Sequence, residues 1–183
     1  MGIQLHQLAS ESLDEACQAL IPPVSGESSA AAPDTDLPSE TSLCRAAVLG
    51  FAGDKIQGTL GIAASETGLI RVFEAAGGTG VLDGESTTRA EDSLAELSNL
   101  ILGRLKRAWL RKGIEITLAT PLVIRGLSIE VRGGAGNCWT TSASENGSNR
   151  VTAWLDLHCD ESFEVSETDL ETDMISEGET LLF

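Results

Sequence analysis

The chain has 183 residues, 42% of them apolar and only 4% aromatic, with a net charge of −16; that is one domain's length, with room for a core built from small and aliphatic side chains. All 12 Lys and Arg lie between Arg45 and Arg150 alongside 11 acids, while residues 1–44 hold 7 acids, residues 151–183 hold 10, and neither flank has a base. A near-neutral body between acidic flanks argues against non-specific nucleic-acid binding, and no apolar run approaches the ~20 residues that span a bilayer.

Residues 3–20 read as a first helix, with Leu5, Leu8, Leu13, Ala16, Cys17 and Leu20 in a broken stripe and Ser10 or Ser12 available to cap its second half. Pro22-Pro23 stop it. Residues 22–41, rich in Pro, Ser, Ala and acids, read as a linker with little structure. Residues 42–51 and 55–65 are two strands of a hairpin turning at Gly53-Asp54, with Leu43, Val48, Leu49 and Phe51 facing Ile56, Leu60 and Ile62. Residues 66–76 form an apolar helix, and Gly77-Gly78-Thr79-Gly80 ends it. That glycine cluster follows a helix and lacks GxGxxG spacing, so it reads as a helix stop and not a phosphate cradle.

The longest helical pattern follows, capped by Thr87 or Thr88, with Glu91 and Asp92 in its first turn, and running to about Lys112 before Gly113. Leu94, Leu97, Ile101, Leu105 and Ala108 recur every three or four residues and define its buried face. Asp92, Glu96, Asn99 and Gly103 share the opposite face. A mid-helix glycine costs about 1 kcal/mol relative to alanine, so something should offset Gly103, and close approach of another molecule is one candidate. Arg104, Lys106, Arg107, Arg111 and Lys112 load the C-terminal half, either as a solvated helix end or as a patch for an acidic partner surface. Strands come next: Ile114–Thr120, a short Leu122–Ile124, then Leu127–Arg132 pairing with Asn137–Ser144 across a glycine turn, and Arg150–His158. The order predicts an α+β fold, an antiparallel β-sheet with helices packed on one face. Trp109, Trp139 and Trp154 are its large core pieces.

Cys17, Cys44, Cys138 and Cys159 show no CxxC spacing and only His6 and His158 accompany them, so a metal site or disulfide framework is not expected; four reduced, buried or half-buried thiols are. No basic segment followed by an apolar stretch opens the chain, so no secretion signal is read and a cytoplasmic protein is expected. The domain is expected to span residues 1–158. Residues 159–183, with nine acids and no base, read as a solvating disordered tail, or as a segment that folds back on the basic helix end.

Glu96 and Asn99 suit a particular chemistry. Without a Ser/His/Asp set no nucleophilic triad is available. A carboxylate can take a cation, and a carboxamide, which donates and accepts, can hold a water in a fixed orientation. The set Asp92-x3-Glu96-x2-Asn99, with Gly103 and Lys106 after it and Pro121 leading Leu122-Val123-Ile124-Arg125-Gly126, resembles the CheC/CheX/FliY phosphatases of bacterial chemotaxis. The resemblance covers roughly residues 1–20 and 42–158. It implies a pseudo-twofold CheC/CheX-like fold and hydrolysis of the aspartyl phosphate of a CheY-like receiver domain. On that carry-over Glu96 and Asn99 are catalytic: Asn99 orients the attacking water and Glu96 pairs with the receiver's lysine. Asp92, Gly103 and Lys106 fall on the partner-binding face, Asp92 as a helix-start or rim group, and Pro121 is a structural marker. No metal is held by this chain; Mg²⁺ comes with the receiver. Some members carry a second Glu/Asn pair on the first helix. Here Glu15 is followed three later by Gln18 and not Asn, so one site is expected, the CheX-like condition. A homodimer joined edge to edge through its sheets fits the same resemblance. The second reading is a scaffold of the same fold, related to flagellar-switch components, that binds a partner without hydrolysis.

Overall fold

In the computed structural model, residues 2–21, 43–78, 84–127, 129, 131–132, 138–146, 149–160 and 162–163 are described. The element order is α1 (Gly2–Leu20), β1 (Cys44–Ala52), β2 (Ile56–Ser65), α2 (Glu66–Ala75), α3 (Gly84–Leu110), β3 (Thr117–Leu118), β4 (Leu122–Gly126), β5 (Cys138–Asn146) and β6 (Asn149–Cys159). The six strands form one antiparallel sheet ordered β3-β1-β2-β6-β5, with β4 also paired to β1. The expected α+β layout is what the chain adopts. The expected linker 22–41 and most of the acidic tail lie outside the described residues.

Alternation along the strands sends one set of side chains toward the helices. Ala47, Leu49 and Phe51 of β1, Leu60, Ile62 and Ala64 of β2, and Val151, Ala153, Leu155 and Leu157 of β6 meet the buried stripes of all three helices in one core. Register follows the pattern: Leu49 opposes Leu60 and Ala47 opposes Ile62. Val48 falls on the other face, where it joins Ala46, Ala63, Trp154, Trp139, Ile129 and Val131 in a second, smaller cluster. Of the three tryptophans expected in the core, only Trp109 enters the main one. Trp154 lies flat over Gly61 on the outer face, where a β-carbon would overlap its indole ring.

Two expectations about strands are corrected. None of the described residues of 127–132 is in a strand. β5 pairs along its whole length with β6, from Cys138 opposite Leu157 to Asn146 opposite Asn149. Ile129 and Val131 instead pack against the outer cluster, which accounts for their apolar alternation. Likewise Ile114 and Ile116 are buried, yet only Thr117 and Leu118 pair with β1. Ala119 donates to Gly50 at 2.9 Å, and Pro121 then introduces β4. A proline suits the start of an edge strand, where its missing N–H costs little. The folded body also runs past residue 158, because β6 extends to Cys159 and Phe163 is buried in the main core.

The helix boundaries have local causes. Gly77 and Gly113 adopt φ of +87° and +73° and end α2 and α3 as left-handed caps. Gly78 donates to Phe73 and Ile114 to Trp109, both at 2.9 Å, which satisfies terminal carbonyls. α3 starts at Gly84, earlier than the expected cap at Thr87 or Thr88. The added turn is exposed to half-buried, and the Thr88 hydroxyl donates to the Gly84 carbonyl at 3.4 Å; just after it Ala90 is fully buried, and the Arg89 guanidinium sits 5.7 Å from the Phe73 ring centroid of α2. α1 is continuous, so neither Ser10 nor Ser12 caps it. Ser12 is buried and its Oγ accepts the Trp109 indole N–H at 3.2 Å, pinning α1 to α3. Cys17, Cys44 and Cys138 are buried and Cys159 half-buried, and none of the four is in a disulfide.

Candidate functional site on the outer face of α3

The inner face of α3 makes it a rigid platform. Leu94, Ile101, Leu102 and Leu105 have no exposed surface, and Trp109 stacks edge-on against Phe51 with ring centroids 5.7 Å apart. Near its start the helix is also tied electrostatically to the sheet. Arg45 of β1 and Arg125 of β4 are direct cross-strand neighbours, which by itself sets two like charges together. Glu91 resolves this: its Oε1 accepts from Arg45 Nε and its Oε2 from Arg125 Nη2, each at 2.6 Å. Burial pushes the Glu91 carboxyl up, but the hydrogen bonds and charges of the two arginines outweigh it and hold the group below its ordinary value of 4.5. Glu91 is therefore a buried ion-pair residue two turns into the helix, and Asp92 an exposed neighbour on its rim; neither is in the first turn, as the shorter predicted helix placed them.

Every residue singled out for the outer face is on it. Asp92 and Glu96 are exposed, Asn99 and Gly103 half-buried, and Lys106 half-buried at the margin. Glu96, Asn99 and Lys106 make no side-chain hydrogen bond or ion pair within the described residues. Gly103 has nothing within 4 Å of where a β-carbon would sit, so no packing inside this chain calls for the glycine.

The structure adds a feature that periodicity did not isolate. Glu96 and Asn99 open into different depressions. A groove of about 540 Å³ between α1 and α3 is lined by Asn99 and Gly103 together with Arg104 and Arg107. A smaller one, of about 210 Å³ between α2 and α3, is lined by Glu96 with Ser93, Val72 and Ala75. Leu20 and Leu100 border both. Leu100, 49% exposed, is thus an apolar ridge between the carboxylate and the carboxamide. Its signal in the sequence is a leucine out of phase with the buried stripe. On α1, Glu15 lines the larger groove and Gln18 is exposed.

With this geometry in hand, comparison with known proteins is decisive for the family. The family model described as "Chemotaxis phosphatase CheX" matches residues 45–141, just over half of the chain. The chain belongs to the CheX family. Among solved structures, it is similar to chemotaxis protein CheX of Desulfovibrio desulfuricans, with a TM-score of 0.60 and 17% identity over 85% of this chain and 99% of that one. A CheC-like chemotaxis protein of Shewanella oneidensis gives 0.60 and 16% over 81% and 94%. CheX in the CheX–CheY–BeF3–Mg²⁺ complex of Borrelia burgdorferi gives 0.54 and 16% over 81% and 94%. At such identities the likeness is one of fold. No curated protein matches the chain. No helix among the described residues is long and apolar enough to cross a membrane.

Proposed function

We propose that this CheX-family chain is a phosphatase acting on the aspartyl phosphate of a CheY-like receiver domain. The observation that carries the reading is a polar pair, Glu96 and Asn99, on the open face of a helix whose other face is buried in the core, with no partner inside the described fold. A structure of a relative in which CheX is bound to CheY with BeF3 and Mg²⁺ supports the class of partner.

In this mechanism the chain supplies position and not a nucleophile. Asn99 enters beside the phosphoryl group, and its carboxamide oxygen accepts a hydrogen from a water while its N–H₂ group donates to a phosphoryl oxygen. The water attacks phosphorus in line, the P–O bond to the receiver's aspartate breaks, and inorganic phosphate and a free carboxylate result. Mg²⁺ belongs to the receiver. Glu96 pairs with the receiver's lysine and sets the docking angle. A misplacement on the order of 1 Å costs such a step roughly 10²-fold, so the packing of Ile101 and Leu102 beneath the pair is part of the mechanism. Gly103 lets the partner backbone approach.

The test is a receiver charged by a small phosphodonor with Mg²⁺ and followed for phosphate loss. Acceleration by this chain that disappears in Asn99→Ala supports the reading. Binding that is indifferent to phosphorylation and to Asn99, without acceleration, would establish the scaffold reading instead.

A homodimer is a separate part of the proposal. Among the described residues β4 is an edge strand, and Leu122 and Ile124 on it and Leu127 after it are 64%, 40% and 66% exposed. An unpaired apolar edge invites pairing with a second copy. Sedimentation should show a dimer that Ile124→Lys converts to monomer; a parent that sediments as a monomer rules the dimer out.

A further inference from the structure

The two ends of the α1–α3 groove differ in charge, and so do the chain segments that leave the fold beside them. Arg104, Arg107 and Arg111 line the groove toward the C-terminal end of α3, against one lining acid, Glu15 of α1. None of these arginines forms an ion pair within the described residues. Leu20, Ala16, Leu100 and Ala108 give the groove an apolar floor.

The chain's C-terminal segment leaves the fold at this basic end. Asp160 donates to the Lys55 carbonyl at 3.0 Å and Phe163 donates to Asp160 at 3.0 Å. The β1–β2 turn that holds Lys55 packs against the residues just after α3, because a β-carbon on Gly53 would overlap the Glu115 carbonyl. Residues 164–183 then carry seven acids and no base, interspersed with Leu170, Met174, Ile175, Leu181, Leu182 and Phe183. Twenty residues extend to roughly 65 Å, whereas Asn99 to Arg111 is about 18 Å of helix. By contrast, residues 22–42 leave from the C-terminal end of α1, beside Leu20, which borders both grooves at their Leu100 end and not at the arginine end. They carry four acids.

We infer that the acidic C-terminal segment, residues 164–183, docks within its own chain in the arginine-lined α1–α3 groove, with apolar side chains on the Leu20–Leu100 floor, and thereby shields Asn99 and Gly103. The occupant is chosen by charge complementarity, by density of apolar residues, and by the end of the fold from which the segment departs. Docking and partner approach then compete for one surface, and the competition weakens as salt screens it. The shielding of a working site rests on the phosphatase reading; the docking does not.

The chain has only three lysines, Lys55, Lys106 and Lys112, so a new amine in the groove is easily traced. Arg107→Lys keeps the charge and supplies one. The full-length variant, prepared as an equal mixture of ¹⁵N-labelled and unlabelled protein, is treated with a zero-length carbodiimide and mapped by peptide mass spectrometry. Docking predicts single-isotope coupling between residue 107 and Glu167, Asp169, Glu171 or Asp173. It also predicts a fall of roughly tenfold in that coupling between 0.1 M and 1 M salt. Coupling of the tail to Lys55 alone, mixed-isotope products as abundant as single-isotope ones, or coupling of residue 107 to Glu27, Asp34, Asp36 or Glu40 in its place would overturn the inference. Changing those four tail acids to their amides should then raise receiver dephosphorylation severalfold at low salt and abolish its activation by salt. An unchanged rate beside intact coupling would overturn the shielding. If the parent proves to have no phosphatase activity, the coupling pattern still decides the docking.

Discussion

The two faces of α3 are built from the same helix and obey opposite rules. The inner face holds Leu94, Ile101, Leu102 and Leu105 without solvent contact, and even its one carboxylate, Glu91, is fully engaged by Arg45 and Arg125. The outer face holds Glu96 and Asn99, which satisfy nothing inside the described fold, and a glycine that no neighbour requires. Glu91 and Glu96, five residues apart, show the difference most plainly: one is ion-paired within the fold and the other has no partner among the described residues. Changes on the inner face should therefore register in folding, and changes on the outer face in activity.

The largest effect that would break this division is at Asn99. Asn99→Ala should lower receiver dephosphorylation at least about 10²-fold while thermal melting stays with the parent's; a loss of melting temperature of equal consequence would show that the outer face is structural after all. Glu91→Ala should do the reverse. It strands Arg45, whose side chain is 7% exposed, and removing one partner of a buried pair costs roughly 3 kcal/mol. Urea unfolding would show this as a lower midpoint. The sign with pH follows from the lowered carboxyl: the pair's contribution is complete above the ordinary value of 4.5 and is lost as pH falls through the lower folded value. Acid should thus destabilise the parent more steeply than the Glu91→Ala variant, and parallel curves would contradict the network.

A smaller test concerns the sheet's outer layer. Gly61→Ala should cost about 1–3 kcal/mol, because the Trp154 ring must move to admit a methyl group; a change in tryptophan fluorescence would report it. The smallest effect sharpens the comparison from the other side. Gly103→Ala should raise stability by up to about 1 kcal/mol, as an open helix site gains an alanine, and should weaken receiver binding. A variant both more stable and fully active would remove the partner-approach explanation of that glycine. Finally, Cys138 and Cys159 should react slowly with a thiol reagent at neutral pH in the folded protein, since burial, and then the nearby Asp156 and Cys138 respectively, push both to about 11.

The primary structure by itself determined the elements with a strong period and the polar face of α3. Helical spacing from Leu94 to Leu105 and strand alternation around Leu49, Leu60 and Leu155 are local properties, so the helices, the β1–β2 hairpin and β6 were legible, as were the stops at Gly77 and Gly113. Asp92, Glu96, Asn99, Gly103 and Lys106 were legible for the same reason, being close together on one helix. What needed the tertiary structure was everything that depends on what lies opposite. Residues 127–132 alternate as a strand does, yet Ile129 and Val131 pack against the Trp154 cluster and neither is in a strand. Ser12 resembles a cap but receives the Trp109 indole 97 residues away in sequence. Glu91 looks like a helix-start acid, and only the adjacency of Arg45 and Arg125 across two strands makes it an ion-pair hub. Leu100 and the groove beside Asn99 exist only once α1 lies along α3. Periodicity reports which way a side chain points; which neighbour it meets is set by pairing and packing between segments distant in the chain.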